Sequence, residues 1–124
     1  MKDNRPVNLD ISTIRLPITS YTSILHRVSG AAIVVVIAVL LCLLEGSLES
    51  AERFAEVQTL LASFPVKLVV WLALCGLIYH SLAGIKHLVM DLGIGETLEG
   101  GRKGSILVLA GSAVLMVLAG VWVW

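Results

Sequence analysis

Residues 76 to 93 read GLIYHSLAGIKHLVMDLG, the end of a long apolar run that carries His80 before its first charged residue. An ionisable side chain inside hydrocarbon is costly, so this histidine is expected to face the interior of a helical bundle and to have a function there. Residues four apart share a helix face, which aligns His80 with Gly76 and Gly84 and brings His87 a turn further along. Glycine on both sides of an imidazole suits a porphyrin with iron on the ring nitrogen. It equally suits close helix packing around a hydrogen-bonded histidine.

Composition predicts an all-α integral membrane protein. The chain has 124 residues, is 57% hydrophobic, carries no formal net charge and has a mean hydropathy of +0.94. This length provides about three membrane spans and leaves little chain for a soluble catalytic domain, so a subunit is expected rather than an independent enzyme. A neutral chain without a phosphate-binding loop or a nucleophile elbow gives no indication of nucleic-acid binding or hydrolytic chemistry.

The hydropathy pattern divides the chain into an N-terminal arm, residues 1–20, and a three-span membrane anchor, residues 21–124. The arm lacks the apolar segment and cleavage site of a signal peptide, so the first span is expected to act as its own insertion signal. The spans are predicted at approximately 22–45, 65–92 and 104–124.

Two connections join the predicted spans. The first is an acidic loop followed by a moderately apolar stretch, after which Ser63 and Pro65 indicate a helix start. The second is a short polar connection from Asp91 to Ser105, and its Gly93 suits a helix C-terminus.

The distribution of basic residues predicts a cytoplasmic N-terminus. The side that carries the N-terminus and the second connection is the richer in lysine and arginine, as cytoplasmic sides are. Its basic residues are Lys2, Arg5, Arg15, Arg102 and Lys103, with Arg27 and Lys86 at the span edges, against Arg53 and Lys67 on the opposite side.

A polar cluster opens the first span. Ser23, His26, Arg27 and Gly30 are spaced i, i+3, i+4 and i+7, so they share one helix face. Their donors suit a carbonyl or an anionic group, whereas the alternative is an arginine that extends to lipid headgroups beside a helix-capping serine. His80 lies roughly 9 Å from the same boundary, because it precedes Lys86 by between one and two turns. A redox cofactor and a pocket for a small polar group are therefore expected side by side.

Two segments of the chain resemble the signatures of a known family, the cytochrome b membrane anchors of succinate dehydrogenase. Arg5-Pro6-Val7, Ile11 and the run from Ser23 to Ser29 resemble the first signature, and His80, Gly84, Ile85, His87, Met90, Asp91 and Gly93 resemble the second. The resemblance implies a succinate:quinone oxidoreductase of the bacterial inner membrane. Its partners would be a flavoprotein, an iron–sulfur protein and a second three-span anchor, which packs with this chain around haem b. Ubiquinone would be the electron acceptor.

The resemblance also implies roles for individual residues. His80 corresponds to an axial ligand of haem b, with the second ligand on the other anchor. Ser23 and Arg27 correspond to quinone-binding residues, and His26, Arg27 and His87 are placed to contact haem propionates or to support the ligand. Lys86 stands where the family commonly has arginine, and lysine lacks the planar fork of a bidentate clamp. Whether a propionate is held at that position stays open.

Two alternatives compete with this interpretation. One is the anchor of a quinol:fumarate reductase, which shares the architecture and runs the reaction in reverse. The other is a small haem-free helical transporter or assembly protein, in which Gly76, Gly84 and Gly111 serve packing and His80 relays protons. A visible absorption spectrum would distinguish the second alternative.

Overall fold

The computed structural model describes residue 10 and residues 13–124, and over these residues it contains four α-helices and no strand. The helices are α1 (Ile18–Glu49), α2 (Ala51–Ala62), α3 (Phe64–Asp91) and α4 (Leu98–Val123). The three longest, α1, α3 and α4, are each apolar and long enough to cross a membrane. The predicted all-α, three-span class is thus confirmed. The expectations for Lys2, Arg5, Pro6, Val7 and Ile11 lie outside the described residues.

α1 begins earlier than the first predicted span. Pro17 has an extended backbone and precedes the first helical residue, Ile18. With 32 residues, the helix is about 48 Å long, whereas the hydrocarbon core of a bilayer is about 30 Å thick. α1 therefore extends beyond the hydrocarbon, and where the membrane boundaries fall along it stays a prediction.

The first predicted loop contains a helix, α2, which the acidic composition did not indicate. The hydroxyl oxygen of Ser50 accepts a hydrogen bond from the backbone N–H of Arg53 at 3.2 Å and so caps the N-terminus of α2. The Arg53 guanidinium bridges Glu49 and Glu56 at 3.3 and 2.9 Å. These local contacts, together with an apolar edge that includes Phe54, make a short helix favourable here.

α3 begins and ends one residue earlier than the predicted second span, approximately 65–92. Ser63 precedes the helix and Pro65 lies in its first turn. After the last helical residue, Asp91, the backbone of Gly93 has a φ of +81°, a conformation that glycine adopts at little cost.

The second connection is shorter than predicted because α4 starts at Leu98. Thr97 caps this helix, since its hydroxyl oxygen accepts the N–H of Gly100 at 3.0 Å. Three glycines of the predicted connection, Gly100, Gly101 and Gly104, lie inside α4 and allow close packing. A Cβ atom at position 100 would lie 2.7 Å from the carbonyl oxygen of Gly95, so Gly100 has no room for a side chain.

α3 packs against both α1 and α4. The buried apolar residues of the described bundle are Tyr79, Ala83 and Val108. Beside them the Tyr79 hydroxyl donates to the backbone carbonyl of Thr22 at 2.8 Å, and the hydroxyls of Thr22 and Ser105 lie 3.1 Å apart. This three-helix polar network fixes the relative positions of α1, α3 and α4 at the end of the bundle where α1 begins.

Candidate functional site

Two groups of α1 hold the imidazole of His80, which lies on α3. Its Nδ1 atom lies 3.0 Å from the backbone carbonyl oxygen of His26 and 3.2 Å from the hydroxyl of Ser29. That hydroxyl also donates to the His26 carbonyl, at 2.8 Å. Because a carbonyl oxygen only accepts, this arrangement favours the tautomer with its proton on Nδ1. The lone pair then lies on Nε2, which has no hydrogen bond to any described residue.

A neutral histidine whose Nδ1–H donates to a carbonyl is prepared to bind a metal through Nε2. The hydrogen bond fixes both the tautomer and the ring orientation, as is usual for metal-ligating histidines. The His80 side chain is half-buried. No group of three or more histidine, cysteine or acidic side chains placed for a metal ion occurs among the described residues.

Glycines clear space around two imidazoles, in a different arrangement from the predicted stripe along α3. A Cβ atom on Gly30 of α1 would lie 2.8 Å from Cε1 of His80, closer than real Cβ contacts. Gly84 instead faces His26, whose Nε2 is 3.5 Å from the corresponding Cβ position, and at Gly76 nothing lies within 4 Å. The glycine that makes room for His80 therefore comes from α1.

Three imidazoles gather at this point. The rings of His26 and His80 stack with centroids 4.1 Å apart and an angle of 15° between their planes. His87 is tilted against His26 with centroids 5.2 Å apart. The Nε2 atom of His26 is buried and has no hydrogen-bond partner among the described residues. An unpaired buried nitrogen is costly, so this position favours a polar ligand group.

Ser23 lies three residues before His26 and Arg27 one residue after it, on the shared face of α1. Nη2 of Arg27 is 3.5 Å from the Ser23 hydroxyl, at the limit of a hydrogen bond, and the arginine is exposed. The guanidinium is therefore held only loosely and has donors free for a ligand that approaches from outside the bundle.

Lys86 points away from the histidines. Its Nζ atom donates to the Ser105 hydroxyl at 3.0 Å, and its aliphatic stem lies against Gly104. Lys86 thus joins the three-helix polar network instead of the imidazole cluster. The sequence patterns did not identify the parts played by Thr22, Tyr79 and Ser105, although hydroxyl side chains within apolar spans are a signal of such contacts.

The predicted site residues therefore form one region. His26 contacts both His80 and His87. The Ser23–Arg27 pair adjoins these histidines on α1. The sequence singled out Gly30 only as part of the face of the polar cluster and Ser29 only as part of a signature. Their contacts with His80 required the helix pairing to be known.

Comparison with known proteins gives consistent matches. A profile of the family described as succinate dehydrogenase/fumarate reductase transmembrane subunit matches residues 1–119. The succinate dehydrogenase cytochrome b556 subunit of Coxiella burnetii is 40% identical to this chain, and the alignment covers both chains in full. The cytochrome b556 subunit of Paracoccus denitrificans is 34% identical over 94% of this chain and 90% of its own length. The cytochrome b560 subunit of Reclinomonas americana is 29% identical over 80% of this chain and 72% of its own length.

Proposed function

The chain belongs to the family of succinate dehydrogenase/fumarate reductase transmembrane subunits, and from this premise we propose that it is the haem b-binding anchor of a bacterial succinate dehydrogenase. The names of the relatives, cytochrome b556 and b560 subunits of succinate dehydrogenase, support haem b as the cofactor and favour succinate oxidation over fumarate reduction. The three apolar helices make it a multi-pass membrane protein.

One observation carries the proposal, the orientation of His80 by the carbonyl oxygen of His26. The 3.0 Å contact at Nδ1 leaves Nε2 as the nitrogen for iron. The space left by Gly30 lets the ring keep this orientation. The residues present therefore fit a histidine that would hold the haem iron through Nε2, and a further ligand would come from the other anchor subunit.

Three further side chains suit the haem propionates. The unpartnered Nε2 of His26 and the exposed guanidinium of Arg27 can each donate to a carboxylate, and such charge-assisted hydrogen bonds are strong. His87 contacts His26 and either binds a propionate itself or holds the His26 ring in place. When bound, the haem supplies one-electron redox chemistry beside the quinone site.

Quinone reduction is assigned to the Ser23–Arg27 pair. The serine hydroxyl would donate to one carbonyl of ubiquinone, and the guanidinium would stabilise the negative charge that develops on that oxygen during reduction. Electrons would arrive from succinate through the flavoprotein and iron–sulfur subunits. Two of these electrons and two protons would convert the quinone to quinol. The excess of basic residues on the N-terminal side supports a cytoplasmic location for this site in the bacterial inner membrane.

A reduced-minus-oxidised visible spectrum of the complex, purified through a tag on this chain, tests the proposal. We expect a b-type haem band together with flavin and iron–sulfur absorbance, and a lower haem content or a shifted haem potential in His80→Leu. A fully assembled complex with no haem band would overturn the haem assignment, and His80 would then serve packing or proton relay. Rates of succinate oxidation and fumarate reduction measured on the same sample separate the two directions of the reaction.

A further inference from the structure

Two consecutive residues of α3 each form a hydrogen bond with a backbone carbonyl of α1. The hydroxyl of Tyr79 donates to the carbonyl oxygen of Thr22 at 2.8 Å, and Nδ1 of His80 lies 3.0 Å from the carbonyl oxygen of His26. Residues four apart share a helix face, so the two carbonyls lie on the same side of α1. α3 therefore holds two successive turns of α1.

Each of these carbonyls belongs to the peptide unit that leads into a residue of the proposed quinone site. The Thr22 carbonyl is part of the peptide unit that ends at the Cα atom of Ser23, and the His26 carbonyl is part of the unit that ends at the Cα atom of Arg27. A peptide unit is planar and rigid, so a bond to its oxygen also restricts the position of the next Cα atom. The bond at residue 22 therefore acts on Ser23, and the bond at residue 26 acts on Arg27.

α1 begins without a side-chain cap from the residue before it. Pro17 has no side-chain acceptor for the free N–H groups of the first turn, whereas Ser50 and Thr97 cap α2 and α4 through their hydroxyls. Helix ends open at little cost when nothing holds them. Ser23 lies only five residues after the first residue of α1, so its position depends on the contacts that α3 and α4 make with this end of the helix.

The contact between Tyr79 and Thr22 lies in the interior of the bundle. These two residues are 7% and 3% exposed, whereas Ser23 is partly exposed and Arg27 is exposed. A hydrogen bond in a low-dielectric interior is stronger than one in water. The phenol therefore supplies a fixed point beneath a side chain that a ligand can reach.

We propose that Tyr79 is a positioning residue for the quinone site, because it holds the peptide unit between Thr22 and Ser23 and so directs the serine hydroxyl towards the quinone carbonyl. This inference rests on the proposed function. Hydrogen bonds weaken steeply when they are misaligned, and a displacement of about 1 Å can cost about 100-fold in rate. Arg27 is held separately through His80, so loss of the phenol hydroxyl should weaken quinone binding more than it lowers turnover.

Tyr79→Phe tests the proposal, because it removes the hydroxyl and keeps the ring. The Thr22 carbonyl still accepts its hydrogen bond within α1, so the complex should assemble. We expect the KM for a short-chain ubiquinone to rise several-fold while kcat stays close to the parent value, the pattern of a lost binding contact. Haem content and succinate oxidation with a soluble acceptor should not change. An unchanged KM in the assembled complex would overturn the proposal.

Two variants separate positioning from a general loosening of the bundle. Trp71→Phe removes a bond of the same kind, from the ring N–H to the Met116 carbonyl of α4 at 3.0 Å, at a point eight residues before Tyr79. Ser105→Ala disturbs the three-helix polar network but leaves the phenol bonded to its carbonyl. Both should keep the KM near the parent value, whatever they do to the thermal midpoint. A rise in either variant as large as that in Tyr79→Phe would contradict a specific role for the phenol.

A double-mutant cycle tests whether Tyr79 acts through Ser23. Ser23→Ala alone should raise the KM, and the addition of Tyr79→Phe should raise it little further, because the hydroxyl to be positioned is already absent. Increases that multiply would overturn the proposal.

Replacement of Tyr79 by para-aminophenylalanine keeps a donor at the end of the ring and should restore the parent KM. A KM equal to that of Tyr79→Phe would count against the hydrogen bond as the cause. A parent complex that reduces no quinone would instead overturn the proposed function itself, so the two failures are distinguishable.

Discussion

The Nδ1 atom of His80 on α3 lies 3.0 Å from the backbone carbonyl oxygen of His26 on α1. A backbone carbonyl is present whatever side chain position 26 carries, so the ring orientation depends on how the two helices pack. Anything that moves α1 relative to α3 changes the direction in which Nε2 of His80 points.

Gly30→Ala tests this dependence. The added Cβ would lie 2.8 Å from Cε1 of His80, so the ring or the helix has to move. We expect haem retention to fall about 10- to 100-fold, the usual cost of disturbing residues that orient a metal ligand. Haem content per complex, measured by the pyridine haemochrome assay, checks this. Gly46→Ala on the same helix is the control, because nothing lies within 4 Å of its Cβ position. Equal haem content in both variants would contradict the assigned packing.

Arg27→Leu separates quinone reduction from succinate oxidation. Loss of a group that stabilises developing charge lowers turnover by about 100- to 1000-fold, so quinone reduction should fall by that factor. Succinate oxidation with an artificial soluble acceptor should stay close to the parent rate, because the proposed function places the succinate site on another subunit. Arg53→Leu, at the start of α2 and away from the imidazole cluster, should change neither rate. A parallel loss of both activities in Arg27→Leu would argue against a quinone site at this arginine.

Ser105→Ala should weaken the bundle. The substitution leaves the Lys86 ammonium without its hydroxyl acceptor and removes the contact with Thr22. Leaving a buried polar group without its partner costs about 1–3 kcal/mol. Thermal unfolding of the purified complex measures the effect. Ser47→Ala deletes an exposed hydroxyl that bonds only within α1, and it should lower the midpoint far less. An unchanged midpoint in Ser105→Ala would mean that the three-helix polar network does not stabilise the fold.

The cap of α2 should be visible in a pH titration. The backbone N–H of Glu52 and the Ser50 hydroxyl lower the pKa of the Glu52 carboxyl below its ordinary value. The ionised carboxylate therefore favours folded α2 above the ordinary pKa, and this contribution is lost as the pH falls through the lowered one. In Ser50→Ala we expect the pKa of Glu52 to rise part of the way back to its ordinary value. Carbon-13 NMR of the carboxyl group measures this pKa. No change in pKa would show that the serine does not act on this carboxylate.

Hydropathy was sufficient to predict the three membrane-crossing helices, because their apolar runs are long and contain few charges. It was insufficient where local contacts decide the structure. α2 forms in a segment of acidic composition because Ser50 caps it, and α4 extends through Gly100 and Gly104 because they pack closely against Gly95 and Lys86. Composition alone treats such glycines as loop residues.

The residues of the site were predictable as faces of single helices, since spacing along a helix is fixed. The pairing between helices was not. Nothing in the spacing indicates that Gly30, and not Gly76, lies against His80, or that Lys86 reaches Ser105 on α4. Such contacts depend on the rotation of each helix about its own axis. Because these helices are apolar on all sides, their sequences do not determine that rotation.

The small interior of the described bundle has a consequence for the cell. With Tyr79, Ala83 and Val108 as its buried apolar residues, the subunit gains little free energy from its own packing. A newly synthesised copy that meets no other subunit would stay a substrate for membrane quality-control proteases. The amount of the protein at steady state should therefore follow the amount of the least abundant partner subunit. Overproduction of this chain alone should raise its steady-state amount only a little.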